Sequence, residues 1–240
     1  RRADDALVLG HRLSEWCGHA PMLEEDMALS NMALDLLGQA RELYGYAAKV
    51  EGKGNDEDRL AYLRDVRQYR NLLLVEQPNG DFARTMVRQL FYAVFADLYW
   101  RAMTTSKDVT LAAIAAKSEK ESAYHVRHCA EWIVRLGDGT DESHARAQEA
   151  IDHLWAYTGE MFEADAAEHG LIDAGIAVDP APLKAQWRKS VGDVIAEATL
   201  ALPTNDWMQQ GGRIGHHSEH LGHLLSELQS LQRSFPGAQW

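Results

Sequence analysis

Apolar residues in this chain recur at three- and four-residue steps and almost never alternate, the pattern of helices with one buried face. The clearest case carries Met32, Ala33, Leu36, Leu37, Ala40, Leu43, Tyr44 and Ala47 on one side, with Asp35, Gln39 and Arg41 interrupting or flanking them. This helix begins at the acidic run Glu24-Glu25-Asp26, where negative charge favours the helix dipole. It runs to about residue 50 and stops at Gly52-Lys53-Gly54-Asn55. A shorter helix is predicted before it over residues 4–19, closed by Gly18 and Pro21. An amphipathic segment over 59–74 follows, then a turn at Gln77-Pro78-Asn79-Gly80.

Two further long helices are predicted over 81–103 and 109–136. Phe82, Met86, Leu90, Val94 and Phe95 line the first, and Ile114, Ser118, Ser122, His125, Cys129 and Trp132 line the second. Gly137-Asp138-Gly139 ends the latter. Beyond it, helices are predicted over 142–162, 183–202 and 218–233, separated by a loop over 170–182 and a Gly-rich connector over 211–215. Four long helices joined by short connections indicate an all-α, ferritin-like four-helix bundle with additional C-terminal helices. No long polar linker interrupts the chain. The expectation is a single domain over 1–240, with a core bundle over about 4–137 and accessory helices over about 142–233.

The 240 residues carry a formal charge of −12, which argues against non-specific contact with nucleic acid or anionic membrane. Cys17 and Cys129 are too few for a disulfide framework and read as small core residues. No apolar run approaches the roughly 18 residues of a membrane span. The chain begins at Arg1 without an apolar signal region, so a cytoplasmic protein is expected.

The long helices also raise a question of chemistry. Di-metal bundles take one carboxylate from each of two helices and a Glu-x-x-His pair from each of the other two, because residues three apart project to one side. The corresponding register here reads Leu36-x-x-Gln39 on the second helix and Ser122-x-x-His125 on the fourth, with Glu15 and Asp97 as the lone carboxylates. Leucine and serine are no substitutes for carboxylates, and a neutral amide is a poor ligand for a hard metal. Two cations about 3.5–4 Å apart need several carboxylates to offset their repulsion. The six positions read as a degenerate metal site, with no metal in this chain and no catalytic residue. Glu15, Asp97 and His125, where they meet, form a buried polar cluster.

Three other clusters hold candidate chemistry. His216, His217, His220 and His223 lie near one helix, but nothing completes a ligand set, and a packing helix is the better reading. Arg64, Arg67, Gln68, Tyr69, Arg70 and Asn71 concentrate donors that suit an anionic, partly aromatic ligand. Gly211-Gly212-Arg213, before a helix, is a second candidate anion contact. For both, a solvated or partner-docking face is the alternative. Trp100, Trp155, Trp187 and Trp207 offer apolar surface to a partner or fill the core.

LSEWCGHAP (13–21), LDLLGQAR (34–41), NLLLVEQPNG (71–80), GIAVDP (175–180) and the stretch from Gly212 to Trp240 resemble, as an ordered set, the structural subunits of ring-epoxidising phenylacetyl-coenzyme A monooxygenases. The resemblance implies a ferritin-like chain without cofactors that supports a di-iron catalytic subunit. That partner converts phenylacetyl-CoA to a ring 1,2-epoxide with oxygen and electrons from a separate reductase bearing flavin, an iron–sulfur centre and NADPH. It also implies contacts to the coenzyme A end of the substrate from Gln68, Tyr69, Arg70 and Asn71, and from His169, Gly170 and Leu171. The rival expectations are an active di-metal oxygenase and a free-standing acyl-CoA-binding protein.

Overall fold

The computed structural model describes residues 1–238. Gln239 and Trp240, which end the last of the matching stretches, lie outside the described residues. The described helices are α1 (Arg2–Ser14), α2 (Leu23–Glu51), α3 (Glu57–Tyr62), α4 (Leu73–Glu76), α5 (Phe82–Met103), α6 (Val109–Gly137), α7 (Asp141–Leu154), α8 (Ala166–Asp173), α9 (Leu183–Glu197), α10 (Glu219–Leu228) and α11 (Ser230–Ser234). No strand occurs among the described residues. The fold class is all-α and ferritin-like, with further helices toward the C-terminus. These elements divide between two compact units, one of Arg1–Pro78 with Gln210–Trp240 and one of Asn79–Gln209.

In the first unit α1 lies along α2, and α3, α4 and α10 pack beside this pair. Leu7, Leu9 and Leu13 of α1 and Leu29, Met32 and Leu36 of α2 are buried. Each such side chain contributes roughly 1.5–3 kcal/mol. The helices approach closely at Gly10, where an added Cβ would lie 3.2 Å from Leu37 Cγ and 3.3 Å from the Ala33 carbonyl oxygen. α2 ends at Gly52, whose φ of 66° is the left-handed conformation of a helix stop.

In the second unit α5 and α6 form a hairpin, with α7 and α9 packed on both. Asp81 and Asp108 cap the two long helices by accepting the N–H groups of Arg84 and of Thr110 and Leu111. α5 is apolar nearly all round and is buried nearly all round. Phe91, Trp155 and Trp187 form edge contacts at its centre, and Trp187 donates its indole N–H to the Phe91 carbonyl at 2.9 Å. Gly137 ends α6 against α9's last turn, where a Cβ would fall 2.1 Å from the Ala198 carbonyl oxygen.

Several boundaries differ from the sequence expectation for physical reasons. The first helix ends at Ser14, not residue 19, and the chain then continues in turns. The segment 59–74 is not one helix but α3, a 3-10 turn at Val66–Gln68 and α4, with Arg64 drawn to Asp4 and Asn71 to Glu76. Residues 155–162 form two 3-10 turns, α8 occupies the start of the predicted 170–182 loop, and the chain has no regular secondary structure from residue 200 to 211. The last predicted helix breaks at Gln229, whose side-chain amide donates to the Ala61 and Arg64 carbonyls. Trp100, Trp155 and Trp187 are core residues, and only Trp207 of the four is exposed. Cys129 is buried but Cys17 is on the surface.

Candidate functional site

α1 brings two adjacent carboxylates, Asp4 and Asp5, into the interior of the first unit, where both are fully buried. Buried carboxylates are tolerable only when charge and hydrogen bonds replace the lost water. Asp4 accepts from Arg64 Nη2 at 2.5 Å, from the Tyr44 hydroxyl at 2.5 Å and from the Arg70 backbone N–H at 2.8 Å. Burial works against its charge, but the positive groups around it, Arg64 among them, outweigh that and hold its carboxyl far below the ordinary value. Asp5 takes a two-pronged bond from Arg213, at 2.9 and 2.8 Å, and the Leu72 N–H at 2.8 Å.

A third buried carboxylate, Glu76, sits at the N-terminus of α10. It accepts from Asn71 Nδ2 at 2.9 Å and from the Ser218 N–H at 2.7 Å, and pairs with His217 Nδ1 at 2.8 Å. The other ring nitrogen of His217 faces the Tyr69 carbonyl at 3.1 Å. Burial alone would lower the His217 pKa, but the hydrogen bond and charge of Glu76 prevail and raise it above the ordinary value. Arg12 reaches from α1 to the Glu76 and His220 carbonyls. Together these groups fasten α1, the irregular 61–77 stretch and the C-terminal segment into one unit.

This arrangement changes the reading of the basic stretch. Arg64 serves Asp4, and the Arg70 guanidinium folds back on the Arg67 and Tyr69 carbonyls at 2.6 Å each. Tyr69 is buried, with its hydroxyl donating to the Ala61 carbonyl, and burial pushes that phenol up to about 12. Asn71 is buried on Glu76. Gln68 is exposed and uses its amide oxygen to accept the Asp65 N–H, while Arg67 is exposed beside it. Gly211-Gly212-Arg213 does not face a phosphate: Arg213 turns inward to Asp5, and Glu76 supplies the anion at the following helix start. Gly215, at φ 85°, presses against the Arg67 carbonyl, where a Cβ would fall at 2.5 Å, so the connector and the basic stretch are packed together.

Among the four histidines, His217 is committed to Glu76, and His216 and His223 are exposed. His169, Gly170 and Leu171 lie on α8 in the second unit, all exposed.

The six degenerate metal positions divide equally between the units. In the first, Leu36 and Gln39 are buried on the inner face of α2, whereas Glu15 caps α1 at the surface and accepts from Arg12 at 2.7 Å. Glu15 is therefore not the buried cluster member that the sequence suggested. In the second, Ser122 and His125 are buried on the inner face of α6, in line with Ser118 and Cys129. Asp97 is held by Arg101 at 3.0 Å, and Arg101 also reaches Glu119. Burial raises the Asp97 pKa, with Glu119 adding to the shift and Arg101 opposing it.

As donors, the three positions of the first unit supply one carboxylate and one amide, and the three of the second supply one carboxylate, one hydroxyl and one imidazole, each carboxylate being engaged by an arginine of its own unit. Neither set fits a pair of hard cations. Among the described residues, no group of three or more His, Cys, Asp or Glu side chains is placed to hold a metal ion. No described helix is long and apolar enough to cross a membrane.

Sequence reasoning missed Asp4, Asp5, Glu76 and Tyr44. A weak signal was present: acids within the apolar runs ADDALVLG and LLLVEQ cannot be buried without partners. Nothing local named the partners.

With the geometry in view, the comparisons with known proteins are informative. The chain matches the family described as phenylacetic acid catabolic protein over residues 1–240. It is 52% identical over 240 residues to one of the subunits of the 1,2-phenylacetyl-CoA epoxidase of Escherichia coli (strain K12), a match covering 100% of this chain and 96% of that protein. A full-length family match and a full-length relative of this identity lead to one conclusion: the chain belongs to the phenylacetic acid catabolic protein family.

Proposed function

We propose that this chain is a non-catalytic, ferritin-like subunit of a phenylacetyl-CoA ring 1,2-epoxidase, that it has no metal centre of its own, and that it supports a di-iron catalytic subunit. The observation that carries this reading is the donor set. Leu36 and Gln39 face inward on α2, and Ser122 faces inward on α6, at the register where a di-metal bundle needs carboxylates and imidazoles. The kinship with a subunit of the Escherichia coli epoxidase, within the phenylacetic acid catabolic family, supports this kind of complex, and aerobic phenylacetate degradation in the cytoplasm is the setting proposed for it. In the complex proposed for this chain, the iron and the flavin, iron–sulfur and NADPH chemistry would belong to other subunits. The arrangement of buried ion pairs in the first unit supports a scaffold role, because each carboxylate is fully used in holding segments together.

The proposed substrate contact is at the coenzyme A end. Arg67 and Gln68 are exposed and Arg70 is partly so, while buried Tyr69 and Asn71 act as the footing that holds them. The exposed turn of His169, Gly170 and Leu171 on α8 is proposed as a second contact. Guanidinium and amide donors match the phosphates and amides of coenzyme A. The test is kinetic. Arg67→Ala or Gln68→Ala in the assembled complex is expected to raise KM for phenylacetyl-CoA roughly three- to tenfold, with kcat and assembly intact. Unchanged KM in both variants removes the contact.

A further inference from the structure

α2 is buried on one side only. On the opposite side Leu23, Met27 and Leu34 are 72%, 59% and 66% exposed, a density of large aliphatic side chains unusual for one solvent-facing helix surface. Their spacing, one and then two helical turns, puts them in a single stripe that Gly38 and Arg41 continue. The inward residues Leu29, Met32, Leu36 and Ala40 lie on the far side, so the stripe is not a frayed edge of the core. One flank of the stripe is acidic, because Glu24, Asp35 and Glu42 follow one another along it at steps that keep helical register.

This pattern specifies an occupant. An apolar stripe on a long straight helix is matched by the apolar face of another helix, and an acidic flank is matched by lysine or arginine beside that face. A second copy of this chain is a poor match. In a two-fold pairing with the two α2 helices antiparallel, the acidic flank would meet itself, between chains that each carry a formal charge of −12.

We propose that the outer face of α2, centred on Leu23, Met27 and Leu34, docks an amphipathic helix of another subunit of the complex, one with an aliphatic stripe and basic residues along the flank facing Glu24, Asp35 and Glu42. The proposal rests on the reading of this chain as a subunit and names the surface that does the work.

The test is co-expression with the other epoxidase subunits, using wild type, Leu34→Asp and a control, Lys120→Asp, at an exposed position on α6. Affinity capture of this chain, with circular dichroism of each variant purified alone, gives the readout. Wild type and the control are expected to capture the partner subunits. Leu34→Asp is expected to lose at least tenfold in captured partner while keeping wild-type helicity and melting temperature, since the site is exposed. Met27→Asp serves the same purpose should Leu34→Asp misfold. Undiminished capture by folded Leu34→Asp and Met27→Asp overturns the docking surface but leaves the subunit reading standing. Wild type that captures no partner overturns both. A homodimer of this chain alone, dissociated by Leu34→Asp in light scattering, would assign the face to a second copy and overturn the proposal.

Discussion

Asp4 and Asp5 are neighbours in sequence, yet one holds Arg64 and Tyr44 and the other holds Arg213 and the Leu72 N–H. Their partners lie as far as 208 residues away along the chain, which is why sequence patterning left them unseen. Arg64 and Arg213 were legible as isolated cations, but the side toward which they turn is a tertiary fact. Asp5→Ala would strip a buried guanidinium of its counter-charge, and a loss of about 3–5 kcal/mol in unfolding free energy, measured by urea titration, is expected. Glu76 and His217 give a pH dependence. The folded His217 pKa is raised above 6.5, so its contribution is present below that value and fades as pH rises through the folded pKa. Stability measured from about pH 6 to about pH 9 should therefore include a decline that disappears in Glu76→Gln. Asp4 works in the other direction. Its folded pKa is depressed, so its contribution is present above about 3.8 and fades as the solution is acidified below it.

Among the elements, α5 and α6 were legible nearly to the residue, because their starts carry capping aspartates and the second ends at glycine. The stretch 59–74 was not. Its apolar spacing suits a helix, but Arg64 and Asn71 bond to Asp4 and Glu76 outside it, and the Tyr69 hydroxyl bonds back to the Ala61 carbonyl eight residues earlier, a reach that one continuous helix does not make. The tryptophans stayed open between core and surface for a related reason. Trp187 satisfies its indole N–H on the Phe91 carbonyl and so can be buried outright. Gly137 is the sharpest element-scale prediction. A Cβ there would collide with the Ala198 carbonyl at 2.1 Å, with no flexible side chain to give way. Gly137→Ala should cost about 1–3 kcal/mol in a chemical unfolding titration, although alanine ordinarily favours a helix. A neutral or stabilising result would mean that the α6–α9 junction yields easily.

At the scale of the whole molecule, periodicity alone made the all-α class legible, because that class needs only the helical repeat. The division of the chain was not legible: residues 210–238 return to the unit that holds residues 1–78, and nothing in local composition marks that return. Burial at the six candidate positions was only partly legible. Leu36, Gln39, Ser122 and His125 occupy inward faces as their register requires, while Glu15 proves to be a surface cap. That mixture suits the scaffold role proposed for this chain, in which inward positions are given to packing and hydrogen bonding. On the proposed reading, chemistry has left this chain and support has remained. The most direct measurement is the iron content of the chain purified alone from iron-replete cells, with oxygen-dependent turnover of phenylacetyl-CoA assayed on the same sample. The account predicts far less than one iron per chain and no turnover until the catalytic subunit and reductase are added. About two irons per chain, with turnover by the chain and a reductant alone, would contradict it.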